Sequence, residues 1–147
     1  MISKILVSVD GSKASRMAAK YAVELAKQTG ASLTLLSVIH NRFVVGQVVS
    51  ASASPTHLKE SVEDYLKQSS QSSTDEIAKV CKPKRIQYEA LIRTGHPVEE
   101  IVNVTTKSKS DLIVIGYHCK SALKAAMLGS VTYGVMHKET KIPVLIA

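Results

Sequence analysis

Apolar residues along this chain fall into two spacings that alternate from one end to the other. Ile2 to Val9 is a nearly continuous apolar run rich in β-branched residues, the pattern of a strand buried on both faces. From Ser12, the positions Ala14, Met17, Ala18, Tyr21, Ala22, Leu25 and Ala26 follow the i, i+3, i+4 spacing of a helix, and Gly30 is placed to end it as a left-handed cap. Ser32 to Ile39 predicts a second buried strand. Residues from about His40 to Thr56 carry small and polar side chains without helical period and predict a long loop. Leu58, Val62, Tyr65, Leu66, Ile77 and Val80 mark a second helix, weakened in its middle by Ser69, Ser70, Ser72 and Ser73.

Arg85 to Ile92 predicts a third strand, and Gly95-His96-Pro97 a turn with proline at the first position of a helix. Val98, Ile101, Val102 and Thr105 set the period of that third helix. Asp111 to Ile115 predicts a fourth strand, Ser130 to Lys138 a last helix weakened by Gly134, and Ile142 to Ile146 a fifth strand. Alternating helices and continuously apolar strands predict an α/β architecture: a parallel sheet with helices on both faces. Ligands of such sheets bind beyond the carboxyl ends of the strands, where the strand order reverses. The first strand ends at Asp10 and the fourth at Gly116, so these two residues are expected to face one crevice.

A length of 147 residues suits one domain, residues 1–147, with a sizeable core. With one Phe and no Trp, that core rests on Val, Ile, Leu, Ala and Met. No apolar run approaches the ~18 residues that span a bilayer, and the N-terminal run is too short for a signal peptide, so a cytoplasmic protein without membrane contact is expected. Cys81 and Cys119 form neither a zinc motif nor a disulfide framework and are expected to be thiols. The net charge of +7 comes from scattered lysines and reads as a basic solvated surface. Without aromatic interleaving or a helix-turn-helix signature, nucleic acid is not the expected partner.

The candidate chemistry sits in three places. Asp10-Gly11-Ser12 puts an acid at the crevice mouth, to bond a ribose or an adenine amine or to hold a metal, or else to cap the first helix. Gly116 ends the fourth strand and is followed by Tyr117-His118-Cys119-Lys120. Gly129-Ser130-Val131 then opens the last helix, where free N–H groups and a hydroxyl suit a phosphate oxygen. Lys120, and His118 when protonated, are placed to neutralise phosphate charge. The glycine pattern of a dinucleotide fold, the P-loop, the paired acids of a phosphoacceptor receiver and the Ser-Gly-Gly-x-Asp-Ser of ATP pyrophosphatases are all missing after the first strand.

The ordered set resembles the universal stress protein family over nearly the whole chain. Lys4 to Ser12 is similar to its opening strand and loop, Leu35 to Ile39 to its second strand, and Gly95-His96-Pro97-Val98-Glu99-Glu100-Ile101 to its Gly-x-Pro-x-x-x-Ile turn. Gly116, Gly129 and Ser130 match the family's nucleotide loop, in which two residues separate a first glycine from a second, and nine more precede a third glycine and a Ser or Thr. Cys119 stands in place of the second glycine.

The resemblance implies an open five-stranded Rossmann-like sheet of the adenine nucleotide alpha hydrolase type, in the order 3-2-1-4-5. It implies a homodimer made through the last strand, at Pro143, Val144, Leu145 and Ile146. In ATP-binding members the adenine meets the backbone at the position of Val38, base and ribose lie near Val9 and Asp10, and the phosphates rest on the loop from Gly116 and on Gly129-Ser130-Val131. The cofactor implied is ATP, alone or with Mg2+, for which Asp10 is the acid in place; other members bind no ATP. Two readings stay open at Cys119: a stress-response dimer that binds ATP and hydrolyses it slowly at most, and an interaction dimer without nucleotide. The protein partner is not legible.

Overall fold

A computed structural model of the protein describes residues 1–41, 55–117, 129–138 and 140–147, with side chains left aside for 55–61. The described elements are β1 (Lys4–Ser8), α1 (Lys13–Thr29), β2 (Ser32–His40), α2 (Pro55–Cys81), a 3-10 turn (Lys82–Lys84), β3 (Tyr88–Gly95), α3 (Pro97–Ser108), β4 (Leu112–Ile115), α4 (Ser130–His137) and β5 (Val144–Ile146). The strands form one sheet in the order β3-β2-β1-β4-β5, every neighbouring pair parallel. This is the Rossmann-like α/β fold expected.

The period of two along each strand separates two apolar layers. Ile5, Val7, Val9, Leu33, Leu35, Leu112 and Val114 face α1 and α2, where they meet Ala18, Ala22, Val23, Ala26, Ile77 and Cys81. Leu6, Leu36, Ile113 and Ile115 face α3 and α4, packing on Val98, Ile101, Val104 and Val135. Burial on both faces is why these strands read as continuous apolar runs.

Local chemistry sets the helix ends. Ser12 caps α1 by accepting the Ser15 N–H at 3.1 Å, after Gly11 at φ +77° has turned the chain away from the sheet. Gly30, at φ +76°, closes α1 by donating its N–H to the Ala26 carbonyl at 2.8 Å. The serine-rich middle of α2 stays helical: the Ser73 and Thr74 hydroxyls donate back to the carbonyls of Ser69 and Ser70, and buried Thr74, Ile77, Ala78 and Cys81 pin its second half to the sheet.

Several boundaries differ from the sequence reading. The third strand runs Tyr88–Gly95 rather than Arg85–Ile92, because a 3-10 turn and Arg85 in the left-handed region (φ +55°) follow α2. Gly95, expected in the turn, is the last residue of the strand and pairs with His40. His40 itself ends β2, and Pro55 and Thr56 begin α2; the rest of the expected loop, 42–54, lies outside the described residues. The first, fourth and fifth strands begin one to two residues later than their apolar runs, the first also ends one residue early at Ser8, and the fourth and fifth end as expected at Ile115 and Ile146. On α1, Met17 and Tyr21 are exposed while Ser15, Ala19 and Val23 are buried, so the buried stripe is rotated toward the small residues. Gly134 in α4 has a packing reason, since a Cβ there would lie 2.6 Å from Val98 Cγ2 of α3.

Candidate functional site

The carboxyl ends of β1 and β4 stand side by side, and a crevice open to solvent lies beyond them. Its wall includes Ser8, Val9 and Asp10 at the end of β1, Val38 of β2, and Ile115 and Gly116 at the end of β4. Pro97 and Ile101 of α3 and Val131 and Thr132 of α4 close it from the far face of the sheet. The apolar side chains suit a flat ring, and one carboxylate stands at the rim.

Asp10 is exposed, and its Oδ1 accepts the Ser12 N–H at 2.8 Å, a short turn that holds the carboxylate at the mouth. The cap on α1 is Ser12, not Asp10. Ser15 is buried beneath this loop; its hydroxyl donates to the Ser12 carbonyl at 3.1 Å and accepts the Asp10 N–H at 3.3 Å. Gly116 is a glycine because α1 comes so close: a Cβ there would lie 2.8 Å from the Ala14 carbonyl carbon and 2.9 Å from the Ser15 nitrogen.

The two glycine segments, thirteen residues apart in the chain from Gly116 to Gly129, are joined directly. The Thr132 hydroxyl donates to the Gly116 carbonyl at 3.1 Å, a buried bond, and Gly129 N–H reaches the Tyr117 carbonyl at 3.4 Å. Gly129 occupies the cap position of α4, with its carbonyl accepting the Tyr133 N–H at 2.9 Å, and Ser130 is the first helical residue, exposed. The first turn of α4 thereby presents N–H groups without helical acceptors beside the crevice.

Of the residues singled out in the sequence, Val9, Asp10, Val38, Gly116 and Val131 line the crevice. Gly129 and Ser130 adjoin it through Val131 without forming its wall. His118, Cys119 and Lys120 lie outside the described residues. Sequence reasoning missed Ser8, Ser15, Pro97, Ile101, Ile115 and Thr132 as wall residues. Pro97 and Ile101 were in view, but only as helix signals, and Thr132 carries no local signal at all. Among the described residues, no three His, Cys, Asp or Glu side chains gather as metal ligands. A lone rim carboxylate fits a Mg2+ whose other ligands are phosphates and water.

The universal stress protein family model matches residues 1–147. The chain belongs to the universal stress protein family. Among curated relatives, universal stress protein YxiE of Bacillus subtilis is 33% identical over 147 residues, covering 99% of each chain. Among solved structures, that of MJ0577 superimposes with a TM-score of 0.85 at 27% identity, over 100% of this chain and 96% of the other. Two solved relatives share the fold at lower identity. One is a universal stress protein in complex with cAMP (TM-score 0.71, 22% identical, covering 99% and 97%). The other is an Arabidopsis thaliana family protein with AMP bound (TM-score 0.68, 20% identical, covering 98% and 90%). The crevice thus belongs to a universal stress protein fold, whose strand order β3-β2-β1-β4-β5 reverses between β1 and β4 where the crevice opens. No helix among the described residues is long and apolar enough to cross a membrane.

Proposed function

We propose that this universal stress protein binds ATP in the crevice, alone or with Mg2+, as a regulatory dimer of the cytoplasm. The observation that carries the reading is convergence: Val9, Asp10, Val38, Gly116 and Val131 come from four separate segments and line one cavity. The adenine packs among Val9, Val38 and Ile101, with Asp10 at the ribose. The phosphates lie along Gly116, Gly129 and Ser130, and His118 and Lys120 are the cations the sequence offers them. The relatives with AMP and cAMP support an adenine nucleotide as the ligand class. Asp10 is the carboxylate for Mg2+. Hydrolysis is slow at most, since among the described residues no wall residue besides Asp10 is an acid or base placed to activate a water. The dimer forms through the β5 edge, at Pro143, Val144, Leu145 and Ile146, a half-buried strand that among the described residues has a neighbour on one side only.

A second reading, an interaction dimer without nucleotide, is favoured by one feature of the sequence: Cys119 where the family's loop has its second glycine. Thermal unfolding with and without Mg-ATP separates the two. A ligand at 100 times its Kd adds about 2.7 kcal/mol, a shift of roughly 5–10 °C for a domain of this size. We expect that shift, and expect Gly129→Asp to abolish it. No shift at several millimolar Mg-ATP, with a shift appearing in Cys119→Gly, selects the second reading.

A further inference from the structure

The sheet has a second edge, and its chemistry is self-complementary. β3 (Tyr88–Gly95) is eight residues long and, among the described residues, pairs only with β2. The Leu33 N–H donates to the Gln87 carbonyl at 2.9 Å, which sets the phase of the parallel ladder. In that phase Glu89, Leu91 and Arg93 turn their N–H and C=O groups toward β2, while Tyr88, Ala90, Ile92 and Thr94 turn theirs outward. The Arg93 guanidinium covers one of these outward groups, donating to the Ile92 carbonyl at 3.3 Å. Ala90 and Thr94 are exposed, Leu91 and Ile92 half-exposed. A groove runs between Glu89, Leu91 and Arg93 on the strand and Glu100, Asn103 and Lys107 on α3.

We propose that the β3 edge pairs antiparallel with the β3 edge of a second copy of this chain, about a two-fold axis at Leu91. Three features of the strand agree on that register. Ala90 and Ile92 then lie opposite each other across the axis, and both carry outward N–H and C=O groups, so they exchange two hydrogen bonds on each side of the axis. Leu91 faces its own copy in a non-hydrogen-bonded pair, the closer type, and adds apolar contact. Glu89 lies opposite Arg93, also in a close pair, and the two-fold repeats this ion pair on the other side. Shifting the axis to Ala90 or Ile92 also aligns outward groups but no longer places Glu89 opposite Arg93, leaving Glu89 with the Lys4 ammonium of its own chain at 3.9 Å. In the pairing, Arg93 exchanges the Ile92 carbonyl for Glu89 of the other copy, and the freed carbonyl accepts the Ala90 N–H of that copy. Glu89 keeps the bond it accepts from Thr34 at 3.0 Å through Oε1 and has its second oxygen for Arg93. The two five-stranded sheets become one. The pairing is independent of the crevice and of the β5 edge, which lies at the other end of the sheet.

The test is a disulfide trap in the full chain carrying Cys119→Ser, with Cys81 left in place because it is fully buried. Directly opposed residues in a close antiparallel pair have Cα atoms about 4.5 Å apart, within disulfide range. Leu91→Cys is therefore expected to give a covalent dimer under mild oxidation, and Thr94→Cys, which faces Tyr88 of the other copy, is expected to give none. Sedimentation of charge variants provides a second readout without new thiols. Arg93→Glu is expected to weaken association through this edge by about tenfold at low salt, and the exchange Glu89→Arg with Arg93→Glu to restore it. Cross-linking of Leu91→Cys no greater than that of Thr94→Cys would overturn the proposal and leave Arg93 as a guard that keeps the edge single. Failure of the charge exchange to restore association would overturn the register.

Discussion

The Thr132 hydroxyl donates a buried hydrogen bond of 3.1 Å to the Gly116 carbonyl, tying the first turn of α4 to the carboxyl end of β4. With the Gly129 N–H to Tyr117 carbonyl bond at 3.4 Å, it links the two glycine segments on which the nucleotide reading rests. Thr132→Val keeps the shape and removes the donor, leaving a buried carbonyl unsatisfied at a cost of about 1–3 kcal/mol. We expect a lower midpoint in urea and weaker Mg-ATP binding by calorimetry. Unchanged stability would mean that water takes over the bond.

Gly116 and Gly134 both lack room for a Cβ, but against different neighbours. At Gly116 the added carbon meets α1 backbone at 2.8 Å; at Gly134 it meets the terminal Cγ2 of Val98 at 2.6 Å. Backbone cannot step aside as a methyl group can, and alanine at the helical position Gly134 also regains about 1 kcal/mol of helix propensity. Gly116→Ala is therefore expected to cost about 1–3 kcal/mol, clearly more than Gly134→Ala, in parallel denaturant titrations. The reverse order would contradict the close approach of α1.

Asp111 joins the starts of β1 and β4: its Oδ2 accepts the Ser3 N–H and hydroxyl, both at 2.8 Å, and the Lys4 N–H at 2.9 Å. The Ser3 N–H bond above all, with those from the Ser3 hydroxyl and Lys4 N–H, holds its carboxyl below the ordinary carboxylate value. A carboxyl held lower in the folded than in the unfolded state stabilises above the unfolded pKa and loses that contribution as pH falls through the folded one. Asp111→Asn should therefore melt earlier than the parent chain at pH 7, with the gap closing as both are taken below the folded pKa. A gap that stays constant with pH would show that the charge is not involved.

Burial pushes the Cys81 thiol above its ordinary value, and the side chain sits fully inside the layer between α2 and the sheet. With Cys119 replaced by Ser, we expect a thiol reagent to modify Cys81 only as fast as the protein opens, and denaturant to accelerate the reaction steeply. Modification at the rate of a free thiol under native conditions would show that α2 does not protect it.

Much of this fold was legible because strand and helix leave different marks. Val and Ile runs at Ile5–Val9, Leu33–Ile39 and Leu112–Ile115 announce strands covered on both sides, and Ser12 and Gly30 bound α1 by local capping chemistry that needs no distant partner. The candidate site was legible where a residue type is tied to a backbone role: Asp10 after the first strand, Gly116 after the fourth, Gly129-Ser130 at a helix start. The β3 register was not, because the left-handed turn at Arg85 uses a residue that gives no turn signal. Nor was the rotation of α1, which buries Ser15 and exposes Met17 and Tyr21: hydropathy favours the larger side chains, but small ones allow the helix to approach Gly116. The alternation of elements, their caps and the two ends that flank the crevice each follow from neighbours along the chain and needed no distant partner. That Thr132 reaches Gly116, that Pro97 and Ile101 wall the same cavity, and that Glu89 and Arg93 share the outer strand of the sheet came with the packing of separate segments in space.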